Sequence, residues 1–128
     1  HQNDAEEDTN SIEVEEDVLD GQISGSALTP SVVRKMSRSF AGMSVTDAAI
    51  EELLLWYYEV VDEVGQNIRE HAQLGANPAT FIDAIDKMKD LMMLGWMRRM
   101  LVKAGEDAEE RGYKRIDVEQ LIHLDPFE

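Results

Sequence analysis

Residues 47–74, DAAIEELLLWYYEVVDEVGQNIREHAQL, decide the fold because they keep one helical period throughout. Apolar residues recur every three or four positions, while acids and amides occupy the opposite side. The apolar positions are Ile50, Leu53, Leu54, Tyr57, Val60, Val61, Val64 and Ile68. At about 1.5 Å per residue the helix is roughly 40 Å long, which exceeds what a small domain needs to fold on itself. Leu55, Trp56 and Tyr58 widen its apolar surface beyond one stripe.

A shorter helix is predicted before this segment. Thr29 is a good N-cap, Pro30 suits the first helical position, and Gly42 ends the helix. After the long helix, the stretch from Gly75 to Pro78 combines a glycine stop with a new cap and an N-terminal proline. The sequence therefore predicts separate helices on both sides of residues 47–74.

The third helical stretch runs from Pro78 to about Arg111. Gly95 inside it indicates either a close helix crossing or a bend, so the pattern leaves open whether residues 78–111 form one helix or two. Asp117, with Gln120 three residues later, is typical of a capping box before a last short helix.

The predicted fold class is all-α, with three principal helices plus a short C-terminal helix, and a small helical bundle is one arrangement that fits this pattern. The predicted helices cover residues 30–41, 47–74, 78–111 and 117–124. With 128 residues and 43% hydrophobic content, the chain is long enough for one core.

Charge divides the chain into two parts. Residues 1–27 hold nine of its 27 acids and no Lys or Arg, so that nine of the −15 net charge lie there and −6 is left for the rest. These acids are Asp4, Glu6, Glu7, Asp8, Glu13, Glu15, Glu16, Asp17 and Asp20. We predict an acidic disordered tail over residues 1–27 and a helical domain over 28–128.

The overall negative field repels phosphates and membrane surfaces. We therefore expect nucleic acid to be contacted weakly or indirectly, and we expect no membrane association. No secretory signal or membrane-spanning segment is apparent, which favours an intracellular protein, in a prokaryotic cytoplasm or a nucleus.

No motif for catalysis or for a cofactor was found. The chain has no cysteine and no glycine-rich phosphate loop. A carboxylate-bridged metal site in a helical bundle needs Glu-x-x-His pairs, but Ile68 precedes His71 and Gln120 precedes His123. We predict no catalytic residue, metal ligand or cofactor. Catalysis by scattered carboxylates is the weakest of the alternatives.

Five methionines and a tryptophan are concentrated between residues 88 and 100. Methionine is flexible and polarizable, so it is common both in irregular cores and on surfaces that accept a partner. Core and interface remain equally weighted interpretations. If these residues form an interface with Trp56, its members are Trp56, Met88, Met92, Met93, Trp96, Met97 and Met100.

Five cations stand near a helix start and on a late extended segment. These candidates for phosphate contact are Arg34, Lys35, Arg38, Lys114 and Arg115. Ion pairing within the chain is the alternative interpretation for all five.

Two segments resemble the histone fold of archaeal histones and related transcription subunits. Leu28-Thr29-Pro30 through Phe40, followed by MSVTDAAIEEL at 43–53, resembles its first helix, first loop and central helix. The run AEERGYKRIDVEQL at 108–121 resembles its second loop and last helix. The resemblance implies an obligate handshake dimer, with DNA contacts from both loops and the first helix in DNA-binding members. By position, the five cations named above would be the equivalent residues, and residues 77–103 would be an insertion.

We therefore expect a non-catalytic helical dimerisation or scaffold domain of histone-fold type, in a chromatin, transcription or other nucleoprotein assembly. Its partner would be another protein or a second copy. The alternative is a free-standing acidic helical-bundle adaptor or regulatory protein with no nucleic-acid role. Only five lysines among so many acids would suit a high-salt cytoplasm under that alternative.

Overall fold

A computed structural model of the protein describes residues 28–74 and 77–128. The tail predicted for residues 1–27 lies outside the described residues. Of those described, 76% are helical and almost none are in strands, which confirms the prediction of an all-α fold.

Five α-helices and two very short strands make up this part of the chain. They are α1 (Pro30–Met36), which one π-helical turn continues (Ser37–Ala41), β1 (Ser44–Val45), α2 (Asp47–Leu74), α3 (Pro78–Met92), α4 (Gly95–Glu110), β2 (Arg115–Ile116) and α5 (Val118–Leu121). The bounds predicted for α2 are confirmed. Residues 78–111 form two helices, and the last helix is shorter than the predicted 117–124.

The capping predictions hold at both short helices. Thr29 Oγ1 accepts a hydrogen bond from the Val32 amide at 3.3 Å and so begins α1. Gly42, which has φ +72°, follows the π-helical turn in the left-handed conformation that glycine adopts without strain. Asp117 and Gln120 form the predicted capping box at the start of α5.

The corner between α3 and α4 lies at Met93 and Leu94, just before Gly95. Leu94 adopts φ +66°, which costs free energy for a residue with a Cβ. Burial of its side chain to 6% exposure in the core offsets that cost. Arg99 braces the corner by donating two hydrogen bonds to the Asp90 carboxylate, at 2.6 and 3.0 Å. Gly95 therefore marks a bend.

The main core lies between α1, the N-terminal half of α2, α4 and the loop that contains β2. The side chains in it with no exposed surface are Val33, Ala49, Leu53, Met97, Leu101, Ala104 and Ile116. The C-terminal half of α2 packs along α3 as a helical hairpin. Among the hairpin residues whose side chains the structure describes, four are well buried: Val60, Val64, Ala84 and Leu91.

The strands β1 and β2 join the two loops in parallel within one chain. Ser44 pairs with Arg115 and Val45 with Ile116, and the Thr46 amide donates to the Ile116 carbonyl at 2.9 Å. Val45 and Ile116 point into the core, while Ser44 and Arg115 stay exposed. Two segments 71 residues apart thus meet at one end of the domain.

Candidate interaction surfaces

The joined loops, which we name the loop end (residues 44–47 and 114–117), are held by side chains as well as by backbone. The Thr46 hydroxyl donates to the Asp117 carboxylate at 2.9 Å, and the Val118 amide donates to the same oxygen at 2.8 Å. These hydrogen bonds, with a smaller contribution from Arg115, hold the pKa of Asp117 below its ordinary value. The loop end is therefore locked, and exposed cations can be displayed from it at fixed positions.

The five predicted phosphate-contact residues divide between two places. Lys114 and Arg115 are exposed on the loop end itself, and Arg34 reaches it through an ion pair with Asp47, at 3.6 Å. Lys35 and Arg38 lie further along the first helical segment, towards the part that packs against α4. Internal ion pairing, the alternative interpretation, accounts for Arg34, but none of the other four cations forms a salt bridge within the described ranges.

The structure has a second basic surface, which was not predicted from the sequence. Residues 28–46 and 91–105 contain no Asp or Glu, and each stretch carries three cations. The fold packs these two acid-free stretches against each other, with the Arg98 guanidinium 5.5 Å from the centre of the Phe40 ring. We name this surface the basic face and define it by Lys35, Arg38, Phe40 and Arg98.

The other cations of the two acid-free stretches are paired. Arg99 pairs with Asp90, and Lys103 lies 3.7 Å from a carboxylate oxygen of Glu128. Arg98 is not among the five cations predicted from the sequence as phosphate contacts. The signal that could have identified the basic face was the absence of acids from both stretches in a chain that is acidic elsewhere.

The residues predicted for a partner interface occupy three environments. Trp96, Met97 and Met100 are buried inside the chain, so the core interpretation describes these three. Trp56 and Met88 are half-buried against the core. Met92 and Met93, at the corner between α3 and α4, are 44% and 63% exposed. Any interface built from this set must therefore centre on the last two.

Further apolar side chains are exposed on the outer side of α2. Leu55 and Tyr58 are at least half exposed among acidic neighbours. Between them, Tyr57 turns inward, where its hydroxyl donates to the Leu91 carbonyl at 3.4 Å and its ring lies 5.9 Å from Trp96. Burial raises the pKa of Tyr57 above its ordinary value.

A groove of about 360 Å³ runs between the two arms of the helical hairpin. Its floor is apolar and its rim carries both signs of charge, including Asp83 and Lys87. Pro126 and Phe127 line one end, where Trp96 Nε1 donates to the Pro126 carbonyl at 2.7 Å. A groove of this kind can accept an apolar peptide segment.

Within residues 28–74 and 77–128, no group of three or more His, Asp or Glu side chains could hold a metal ion. No helix in these ranges combines the length and the apolar character that crossing a bilayer requires. The fold and surfaces define a small all-α protein with a charged loop end and a helical hairpin. Comparisons with protein-family models, curated proteins and solved structures gave no match for the chain.

Proposed function

We propose that the chain is a non-catalytic dimerisation or scaffold domain of histone-fold type that works in a nucleoprotein assembly. The observation that carries the proposal is the parallel pairing of β1 with β2. It joins the two loops that resemble those of the histone fold, and it sets Arg115 beside Ser44 at the loop end. A locked pair of loops with exposed cations is suited to positioning a domain on a phosphate backbone.

The predicted contact with nucleic acid is weak. Arg34, Lys114 and Arg115 supply three positive charges at the loop end, while Asp47 and Asp117 lie beside them. Three phosphate contacts would make the logarithm of affinity fall with the logarithm of salt concentration with a slope of about −3. Base-specific recognition is not part of the proposal.

Self-association is the second part of the proposal. Because β1 and β2 pair within one chain, a second copy is not needed to complete the loop pair. Among the exposed apolar side chains of the described residues, Met92 and Met93 at the corner and Leu55 and Tyr58 on α2 are our candidates for the contact with a partner. A dimer would bury these side chains.

Light scattering combined with a DNA titration over a salt series tests both parts. We expect a dimer whose DNA affinity falls with salt, and a slope that is smaller by about 1 in Arg115→Gln. The matched control is Lys87→Gln on α3, which removes one exposed charge from a residue that pairs with Asp83. A monomer indifferent to DNA, or equal slopes for the two variants, would contradict the proposal.

A free-standing adaptor without a nucleic-acid role is the second candidate, and the hairpin groove favours it. Its apolar floor, which includes Val64 and Ala84, is open to a peptide segment. Under this function, Ala84→Glu would abolish binding of apolar helical peptides, and Arg115→Gln would change nothing. Titration of both variants with a fluorescent amphipathic peptide and with DNA separates the two candidates.

A further inference from the structure

The N-terminal segment and the basic face are complementary in charge. Residues 1–27 carry nine acids and no cation. Five of those acids lie in SIEVEEDVLD at 11–20, interleaved with Ile12, Val14, Val18 and Leu19. This acidic stretch is therefore also partly apolar.

The basic face has the matching composition. Arg38 and Arg98 are exposed, and neither forms a salt bridge within the described part of the chain. Phe40, whose ring centre lies 5.5 Å from the Arg98 guanidinium, has 43% of its surface exposed. Lys35 is partly exposed one helical turn before. A ligand with carboxylates and small apolar side chains can pair with the cations and also cover the exposed ring.

We infer that residues 11–20 of the same chain dock on the basic face. Leu28 is buried at the start of the described domain, so the segment is tethered beside α1. Lys35 follows Leu28 by seven residues, about 10 Å along a helix. The 14 residues from Val14 to Leu28 can span up to roughly 45 Å, which is ample to reach the face.

The tether favours this chain's own segment, and not a second copy, as the ligand of the basic face. A short tether gives a binding partner an effective concentration on the order of millimolar, which exceeds that of a second copy in a dilute solution. Weak ion pairs that would not hold two separate chains together can then keep the face occupied. Docking itself is independent of the proposed function. Its consequence rests on that function and on Lys35 and Arg38, which the sequence predicts as phosphate contacts in addition to the three cations at the loop end.

Paramagnetic relaxation in the full chain tests the docking. The chain has no cysteine, so Val14→Cys gives a single position for a nitroxide label. We expect the label to accelerate relaxation of the amide protons of Arg38, Phe40 and Arg98, and 1 M salt to abolish the effect. Arg38→Gln with Arg98→Gln should abolish it at low salt too, while Lys87→Gln with Lys89→Gln on α3 should leave it unchanged.

Three results would overturn the inference. They are no acceleration at the basic face, acceleration that survives Arg38→Gln with Arg98→Gln, and acceleration that appears only when labelled and ¹⁵N-enriched chains are mixed. The last result would assign the face to a second copy.

A second measurement links docking to nucleic acid. If the segment covers the face for about four-fifths of the time, replacing its five acids by amides should tighten DNA binding on the order of fivefold. Relaxation at the face without DNA binding by either form would reject the proposed function and keep the docking. DNA binding without relaxation at the face would do the reverse.

Discussion

Replacing Gly105 with alanine tests how closely α4 approaches the π-helical turn beneath the basic face. A Cβ at position 105 would lie 2.9 Å from the Cβ of Ala41 and 3.6 Å from the Ala41 carbonyl oxygen. The contacting atom is fixed to the backbone, and Gly42 follows it in the left-handed conformation. The helix or the turn must therefore shift to admit one methyl group.

Two opposing effects set the size of the change. Overpacking of a well-packed interior costs about 1–3 kcal/mol. Alanine in place of glycine within a helix contributes about 0.5–1 kcal/mol in the other direction. We expect Gly105→Ala to lower the free energy of unfolding by about 1 kcal/mol, which corresponds to a fall in Tm of about 4 °C in a domain of this size.

Gly65→Ala is the matched control. A Cβ there would meet only Arg69 Nη1 at 3.7 Å and Met88 Cε at 3.8 Å, which are ordinary contacts. Its helix propensity alone should raise the free energy of unfolding by about 0.5–1 kcal/mol. Urea unfolding followed by circular dichroism measures both variants. Ala41→Gly should rescue Gly105→Ala in a double-mutant cycle, and equal stabilisation by the two alanines would refute the close approach.

The remaining predictions concern core, cap and C-terminal segment. Met97→Ala, in the core, should cost about 2–5 kcal/mol of unfolding free energy, while Met93→Ala at the exposed corner should change it by less than about 0.5 kcal/mol; similar losses would contradict the burial. Asp117→Ala should cost about 1 kcal/mol at pH 7, and since the folded pKa is lowered, the part of this difference that depends on the charged carboxylate should be lost as the pH falls from the ordinary value of 3.8 through the lower folded pKa. Trp96→Phe removes the donor to Pro126, so amide hydrogen exchange near the C-terminus should accelerate; unchanged exchange would show the bond to be unimportant.

The helices with strong capping and helix-terminating residues were predictable from the sequence. Thr29-Pro30, Gly42 and the capping box at Asp117 are local devices, and their effect does not depend on what packs nearby. The period of residues 47–74 is equally local. These features were enough to predict an all-α fold and the bounds of α2.

The corner at Leu94 was not predictable in the same way. Neither Leu94 nor Met93 is a turn-forming residue, and the left-handed conformation is held by burial of Leu94 and by the Asp90–Arg99 brace. Both depend on tertiary contacts. The sequence signal nearby, Gly95, indicated a bend but could not separate it from a helix crossing. The burial of Trp96 and Met97 follows from the same corner, since it turns α4 back onto α1.

The two basic surfaces differ in how far the sequence could predict them. The cations at the loop end were identified because they cluster in sequence near a helix start and an extended segment. Arg38 and Arg98 are 60 positions apart, and only the packing of α4 on the π-helical turn brings their neighbourhoods together. Acids are nevertheless missing from both stretches. An acid that faced this contact would reduce the positive charge of the basic face. The distribution of acids along the chain thus leaves a surface with three cations on a protein of net charge −15.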